Sequence, residues 1–109
     1  MAKKAKAYVL DAWAVIAYLE DEPSAVQIGD LIATAHEEQI PIYMSVVNVG
    51  EVWYTIAREI SEEDANTSVK ELRDLRIHFE NADWELTQEA ARFKSQHKMS
   101  YADCYAAAL

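Results

Sequence analysis

The sequence predicts an α/β protein of three layers, α/β/α, built on a parallel sheet. Short apolar runs recur at residues 7–10, 40–44 and 76–79, and two helical stretches follow each one, giving the order β-α-α-β-α-α-β-α-α. Strands that alternate with helices are joined by crossovers, and crossovers pair strands in parallel beneath helical layers. The 109 residues, 51% of them apolar, suit one domain spanning residues 1–109 with its own core.

The elements follow from local pattern. Ala7-Tyr8-Val9-Leu10 is a short apolar run ending at Asp11, which fits a buried strand. From Asp11 the apolar positions Val15, Ile16, Tyr18 and Leu19 fall three and four apart, as on a helix, until Glu20-Asp21-Glu22-Pro23-Ser24 breaks the pattern. Ser24 is placed to cap a second helix to about His36, with Val26, Ile28, Leu31 and Ile32 as its apolar side. Ile40-Pro41-Ile42-Tyr43-Met44 reads as the second strand, its Pro near the start, where a missing donor is tolerated.

Ser45 opens a helix from Val46 to Ile60, with Val46, Val49, Trp53 and Ile60 on one stripe. Ser61-Glu62-Glu63-Asp64 is a capping sequence for a polar helix to about Leu75. Arg76–Phe79 is a third, weaker strand. Asp83 caps a helix containing Leu86, Ala90 and Phe93, and Ser100 caps one that begins Tyr101-Ala102-Asp103. The last helical run, Ala106-Ala107-Ala108-Leu109, carries no stop signal, so the sequence reads as ending inside an element.

Composition excludes several classes. A single cysteine, Cys104, rules out an internal disulfide framework and fits a reducing, cytoplasmic setting. No apolar run approaches the roughly 18–20 residues that span a bilayer, so no membrane partner is expected. The basic start, Met1 to Lys6, lacks the apolar stretch of a signal peptide. The net charge of −9 repels a polyanion such as RNA unless a divalent cation or a basic partner offsets it. Acidity for solubility alone is the plainer reading of that charge.

Three acids stand apart from the solvated ones. Asp11 follows the first strand, Glu51 lies in the second turn of the helix after strand two, and Asp103 lies in the first turn of the last helix. Ligands of open parallel sheets sit beyond the carboxyl ends of the strands, where these elements begin. Residues 7–19, 43–57 and 99–109 contain no Lys or Arg. A buried carboxylate without a counter-ion needs hydrogen bonds or a metal, and clustered carboxylates make a hard-cation site. Each acid also has an ordinary explanation: Asp11 as an N-cap, Asp103 as the end of a Ser-x-x-Asp cap, and Glu51 as the rim of an amphipathic helix.

The motifs around these acids add a resemblance. Tyr8-Val9-Leu10-Asp11-Ala12, Ser45-Val46-Val47-Asn48-Val49-Gly50-Glu51-Val52 and Ser100-Tyr101-Ala102-Asp103-Cys104-Tyr105-Ala106-Ala107-Ala108 resemble, in order and element type, the three leading motifs of the PIN-domain family of metal-dependent ribonucleases. The toxin half of VapC-type toxin–antitoxin pairs is the most similar branch. The resemblance implies that Asp11, Glu51 and Asp103 are catalytic carboxylates binding Mg²⁺ or Mn²⁺, and that the Ser45 hydroxyl orients the site. It implies an RNA substrate, a small antitoxin partner and a homodimer. Family members carry a fourth acid and further strands beyond the third motif; neither is found in this sequence. A noncatalytic PIN-like binding module is therefore the alternative.

Other residues carry weaker signals. His36, His78 and His97 show no ligand spacing and read as surface or edge residues; Cys104 reads as a small buried residue. Trp13, Trp53 and Trp84 have the chemistry to stack on bases, although helical spacing favours core or dimer contacts. Gly50 in a helix invites close packing near Glu51. Lys94 and Lys98 are the basic residues nearest the third motif, as phosphate contacts or as a solvated face. An aspartyl-phosphate phosphatase would need a second Asp at position 13, which is Trp13.

Overall fold

The computed structural model describes residues 6–109. Its elements run β1 (Tyr8–Val9), α1 (Ala12–Leu19), α2 (Ala25–Glu37), β2 (Ile42–Ser45), α3 (Val46–Glu59), α4 (Glu62–Asp74), β3 (Ile77–Glu80), α5 (Trp84–Gln96) and α6 (Tyr101–Ala108). The strands form a parallel sheet in the order β1-β2-β3, with helices layered about it. No helix among the described residues is long and apolar enough to cross a membrane.

Register fixes what lies at the sheet's carboxyl edge. Val9 pairs with Tyr43, and the Leu10 amide donates to the Tyr43 carbonyl at 3.0 Å. Two residues past that pair, Asp11 and Ser45 leave their strands at the same level and begin α1 and α3. Ser45 in turn pairs with Glu80.

The main core gathers Leu10, Val15, Ile32, Ile42, Met44, Val52, Ile56, Leu72 and Ile77 between the sheet and α1–α4. A second, smaller core of Ala90, Cys104 and Tyr105 joins α5 to α6, with Val47 of α3 packed against it. The Tyr105 hydroxyl donates to Thr87 Oγ1 at 2.8 Å, satisfying the one polar atom of that ring. Cys104 is fully buried there, as the small residue its setting predicts.

The helical phase differs from expectation at three positions. The buried stripe of α3 is Asn48, Val49, Val52 and Ile56; Val46 and Ile60 are exposed, and Trp53 is half-buried with its Nε1 donating to Asn66 Oδ1 of α4 at 2.9 Å. In α2 the buried face is Ala25, Ile32 and Ala35, while Val26 is 70% exposed. Ser24 stands at the N-cap of α2 without a side-chain cap bond, because its backbone is already helical (φ −79°, ψ −6°) and does not turn the hydroxyl toward the free amides. Asp11, Ser45, Ser61, Asp83 and Ser100, all extended, do accept such bonds.

Three helices stop without glycine. Asp21, Gln39 and Arg76 take left-handed conformations (φ 55°, 59° and 61°) immediately after the C-caps of α1, α2 and α4. Behind α2, the Gln39 amide bonds to the His36 carbonyl and the Ile40 amide to the Ala35 carbonyl, the paired closure that turns the chain into β2. Gly50 has the opposite problem: it sits inside α3, and a Cβ there would meet nothing within 4 Å. The close packing expected at Gly50 is thus absent, and the residue only weakens its helix.

Two stability predictions follow from these placements. Gly50→Ala is expected to raise unfolding free energy by about 1 kcal/mol, and Gln39→Gly by a few tenths to about 1 kcal/mol, as left-handed strain is relieved against lost chain stiffness; urea midpoints measure both.

A third prediction concerns the far ends of α1 and α3. There the Glu59 carboxyl shares a hydrogen bond with Glu20, and this, with slight desolvation and the charges of Glu59 and Glu22, pushes the Glu20 pKa up. A raised acid pKa means the folded chain keeps a proton that the unfolded chain releases. The pair therefore favours folding at acid pH and loses that contribution as pH rises through the raised value. Glu20→Gln should raise the melting temperature at neutral pH, and the gain should vanish near pH 4, about where glutamate ordinarily titrates.

Candidate metal centre

Asp11 owes its position to two jobs. It ends β1 and caps α1, its Oδ1 accepting from the Ala14 amide at 2.8 Å. The cap commits one oxygen, fixes the carboxylate at the helix entrance and leaves the other oxygen uncommitted. Asp103 sits one turn into α6, whose start is fixed by Ser100 Oγ accepting from the Asp103 amide at 3.1 Å. Among the described residues, nothing hydrogen-bonds to the Asp103 carboxylate, and no Lys, Arg or His forms an ion pair with Asp11, Glu51 or Asp103.

Asp11 and Asp103 line one cavity of about 490 Å³, walled by Val9, Leu10, Trp13, Ala14, Met99, Ala106 and Ala107. It opens between the β1–α1 junction and α6, so the fold brings acids from opposite ends of the sequence to one concavity. Glu51 is not among its walls. The Glu51 carboxylate is held by Asn48, whose Nδ2 donates to Oε1 at 3.0 Å. All three acids are half-buried.

Asn48 is the residue that sequence reading passed over. It is fully buried, and with Ser45 it makes up the buried polar side chains of the described core. Ser45 Oγ donates to Asn48 Oδ1 at 2.8 Å while accepting from the Asn48 amide at 3.1 Å. The second Nδ2 proton goes to the carbonyl of Ala102, the residue before Asp103, at 3.0 Å. One amide side chain thus ties the end of β2, the Glu51 carboxylate and the first turn of α6 together. The signal was available: Asn48 shares the 48/52/56 phase of the buried stripe, and a polar residue there needs partners.

The oxygen-only donor set suits a hard cation such as Mg²⁺ or Mn²⁺. Among the described residues, no three His, Cys, Asp or Glu side chains stand close enough to enclose an ion by themselves. Magnesium does not need such a cage: it is commonly held by one or two carboxylates, with water and phosphate completing the shell. The two uncompensated carboxylates at the cavity fit that mode.

Other sequence candidates lie elsewhere. His36 and His78 line a separate depression at the amino-terminal end of the sheet with Arg76, and His97 is exposed at the end of α5. Lys94 donates to the Met99 carbonyl at 2.6 Å, which pins the α5–α6 loop at the cavity's edge, while Lys98 is exposed. Glu80, opposite Ser45 in the sheet, borders two other surface depressions.

The PIN domain family model matches residues 8–109. The chain belongs to the PIN domain family. No curated protein matches it in sequence. Its fold is similar to the crystal structure of Mycobacterium tuberculosis VapC20, described as a sarcin–ricin loop cleaving toxin, with a TM-score of 0.68 at 15% identity over 93% of this chain and 78% of that one. The PIN assignment spans all three acids and the Ser45–Asn48 pair that holds Glu51.

Two measurements probe this centre. Asn48→Leu would strip partners from Ser45, Glu51 and the Ala102 carbonyl, and is expected to cost about 2 kcal/mol or more in urea unfolding. Mn²⁺ should raise the melting temperature of the unaltered chain and leave Asp103→Asn unmoved. In EDTA, Asp103→Asn should be at least as stable as the parent, since it removes an unpaired charge.

Proposed function

We propose that the chain is a metal-dependent endoribonuclease, the toxin member of a toxin–antitoxin pair. The observation that carries this reading is the meeting of Asp11 and Asp103 in one cavity without a cationic partner among the described residues. Membership of the PIN domain family and the fold shared with an RNA-cleaving toxin support it.

Asp11 and Asp103 would hold Mg²⁺ or Mn²⁺, which when bound would neutralise charge on the phosphodiester and acidify the attacking water. Glu51 lies outside the cavity wall but is tied through Asn48 to the residue before Asp103, and would take the proton of the attacking water by way of an intervening water. The bond from phosphorus to the departing ribose oxygen breaks, and that oxygen takes its proton from solvent. No protein nucleophile is required. Ser45 acts through Asn48 and positions Glu51 without touching substrate.

The net charge of −9 makes cation binding a precondition for approach of the RNA, and it complements a basic antitoxin segment laid across the cavity. A homodimer, common among PIN-family toxins, belongs to the same reading. The competing reading, a PIN-like module that binds without cleaving, draws on the lack of a preformed three-acid cage among the described residues.

The test is cleavage of a labelled RNA with Mg²⁺ or Mn²⁺. Activity is expected with either ion, none with EDTA, and background levels in Asp11→Asn and Asp103→Asn. Asn also caps helices, so loss in Asp11→Asn reports on charge and not on folding. RNA binding without cleavage under both ions would favour the noncatalytic module.

A further inference from the structure

Trp13 is the second residue of α1, and its side chain is 74% exposed. Its neighbours Ala12, Val15 and Ile16 supply the core contacts of that helix, and Trp13 belongs to neither hydrophobic cluster. An indole left in water is unusual for so large an apolar group. The other two tryptophans differ from it. Trp53 is half-buried with its Nε1 bonded to Asn66, and Trp84, though exposed, lies away from the acids on α5.

Trp13 lines the same cavity as Asp11 and Asp103. The Asp11–Ala14 cap bond spans it, so the backbone carrying the indole is fixed by the carboxylate that faces the cavity. The remaining walls, Val9, Leu10, Ala14, Met99, Ala106 and Ala107, are apolar, and among the described residues no Lys or Arg lines the cavity. The cavity's volume of about 490 Å³ lies within the roughly 300–1,000 Å³ typical of small-ligand sites. One part of the cavity therefore carries charge and the rest is apolar, and among the described residues no wall offers a cation to a second phosphate.

We propose that the Trp13 indole is the stacking platform for the nucleobase adjacent to the scissile phosphate, which restricts the substrate to unpaired nucleotides. This rests on the ribonuclease reading. A base within a duplex has both faces covered by its neighbours, so an indole reaches a face only where the nucleotide is unstacked, in a loop or single strand. Stacking is tolerant of base identity; Trp13 selects strandedness more than sequence.

The test titrates a short single-stranded RNA into the full chain with Ca²⁺ present and follows tryptophan fluorescence. Saturable quenching is expected, with little from the same sequence as a duplex. The quench should disappear in Trp13→Leu and persist in Trp84→Phe. In cleavage assays with Mg²⁺, Trp13→Leu should raise KM by roughly 5- to 150-fold, the loss of one base–aromatic stack, with kcat little changed. Trp13→Phe should recover most of it. Unchanged KM and affinity in Trp13→Leu, equal quenching by duplex, or quenching by a basic peptide and not by RNA would each overturn the proposal. Quenching by single strands in a chain that never cleaves would sink the nuclease reading and leave the stacking site standing.

Discussion

The side chain of Asn48 holds the arrangement together. With no exposed surface, it accepts one hydrogen bond from Ser45 and donates two, to Glu51 and to the Ala102 carbonyl. An amide buried this way must be satisfied, and the partners it finds belong to two stretches far apart in the chain, residues 45–51 and Ala102. The consequence is geometric. α3 starts at Ser45 in one orientation, Glu51 is held on one side of that helix, and α6 is pinned where Asp103 enters the cavity. The apolar core fixes the sheet and α1–α4, while the smaller Ala90–Cys104–Tyr105 cluster fixes α5 to α6. Asn48 is the polar bridge between the α3 start and that second unit.

The second constraint is electrostatic. A parallel sheet delivers its strand ends, and the helices that follow, to one edge. Here that edge receives Asp11 and Ser45 at one level, with α6 bringing Asp103 alongside. The absence of basic residues in all three motifs leaves the carboxylates without internal neutralisation. In a chain of net charge −9, a cation at this edge relieves repulsion within the protein and repulsion of a phosphate together. At Asp103 the negative charge suits the first turn of α6 but meets no basic side chain among the described residues.

Much of this was legible in the sequence. The nine elements and their order follow from apolar runs and from Asp or Ser at helix starts; Asp11, Ser45, Ser61, Asp83 and Ser100 all make the cap bonds their positions imply. What was not legible depends on contacts between elements. Val26, Val46 and Ile60 fit a helical period yet face water, because each lies at a helix end where no neighbour covers it. Helix stops were obscured because Asp21, Gln39 and Arg76 occupy the left-handed positions usually marked by glycine. Asn48 looked like an ordinary polar residue until its partner at Ala102, far along the chain, was in place. Trp13, by spacing a core or interface residue, proved to be a wall of the acidic cavity.

The central claim is that Asp11 and Asp103 share a cation. Anomalous diffraction from crystals grown with Mn²⁺ tests it most directly. The account predicts a peak between the two carboxylates, with an oxygen of each at about 2.0–2.2 Å, as for a small octahedral ion. Manganese bound only elsewhere on the acidic surface, with the cavity between β1 and α6 filled by water alone, would contradict it.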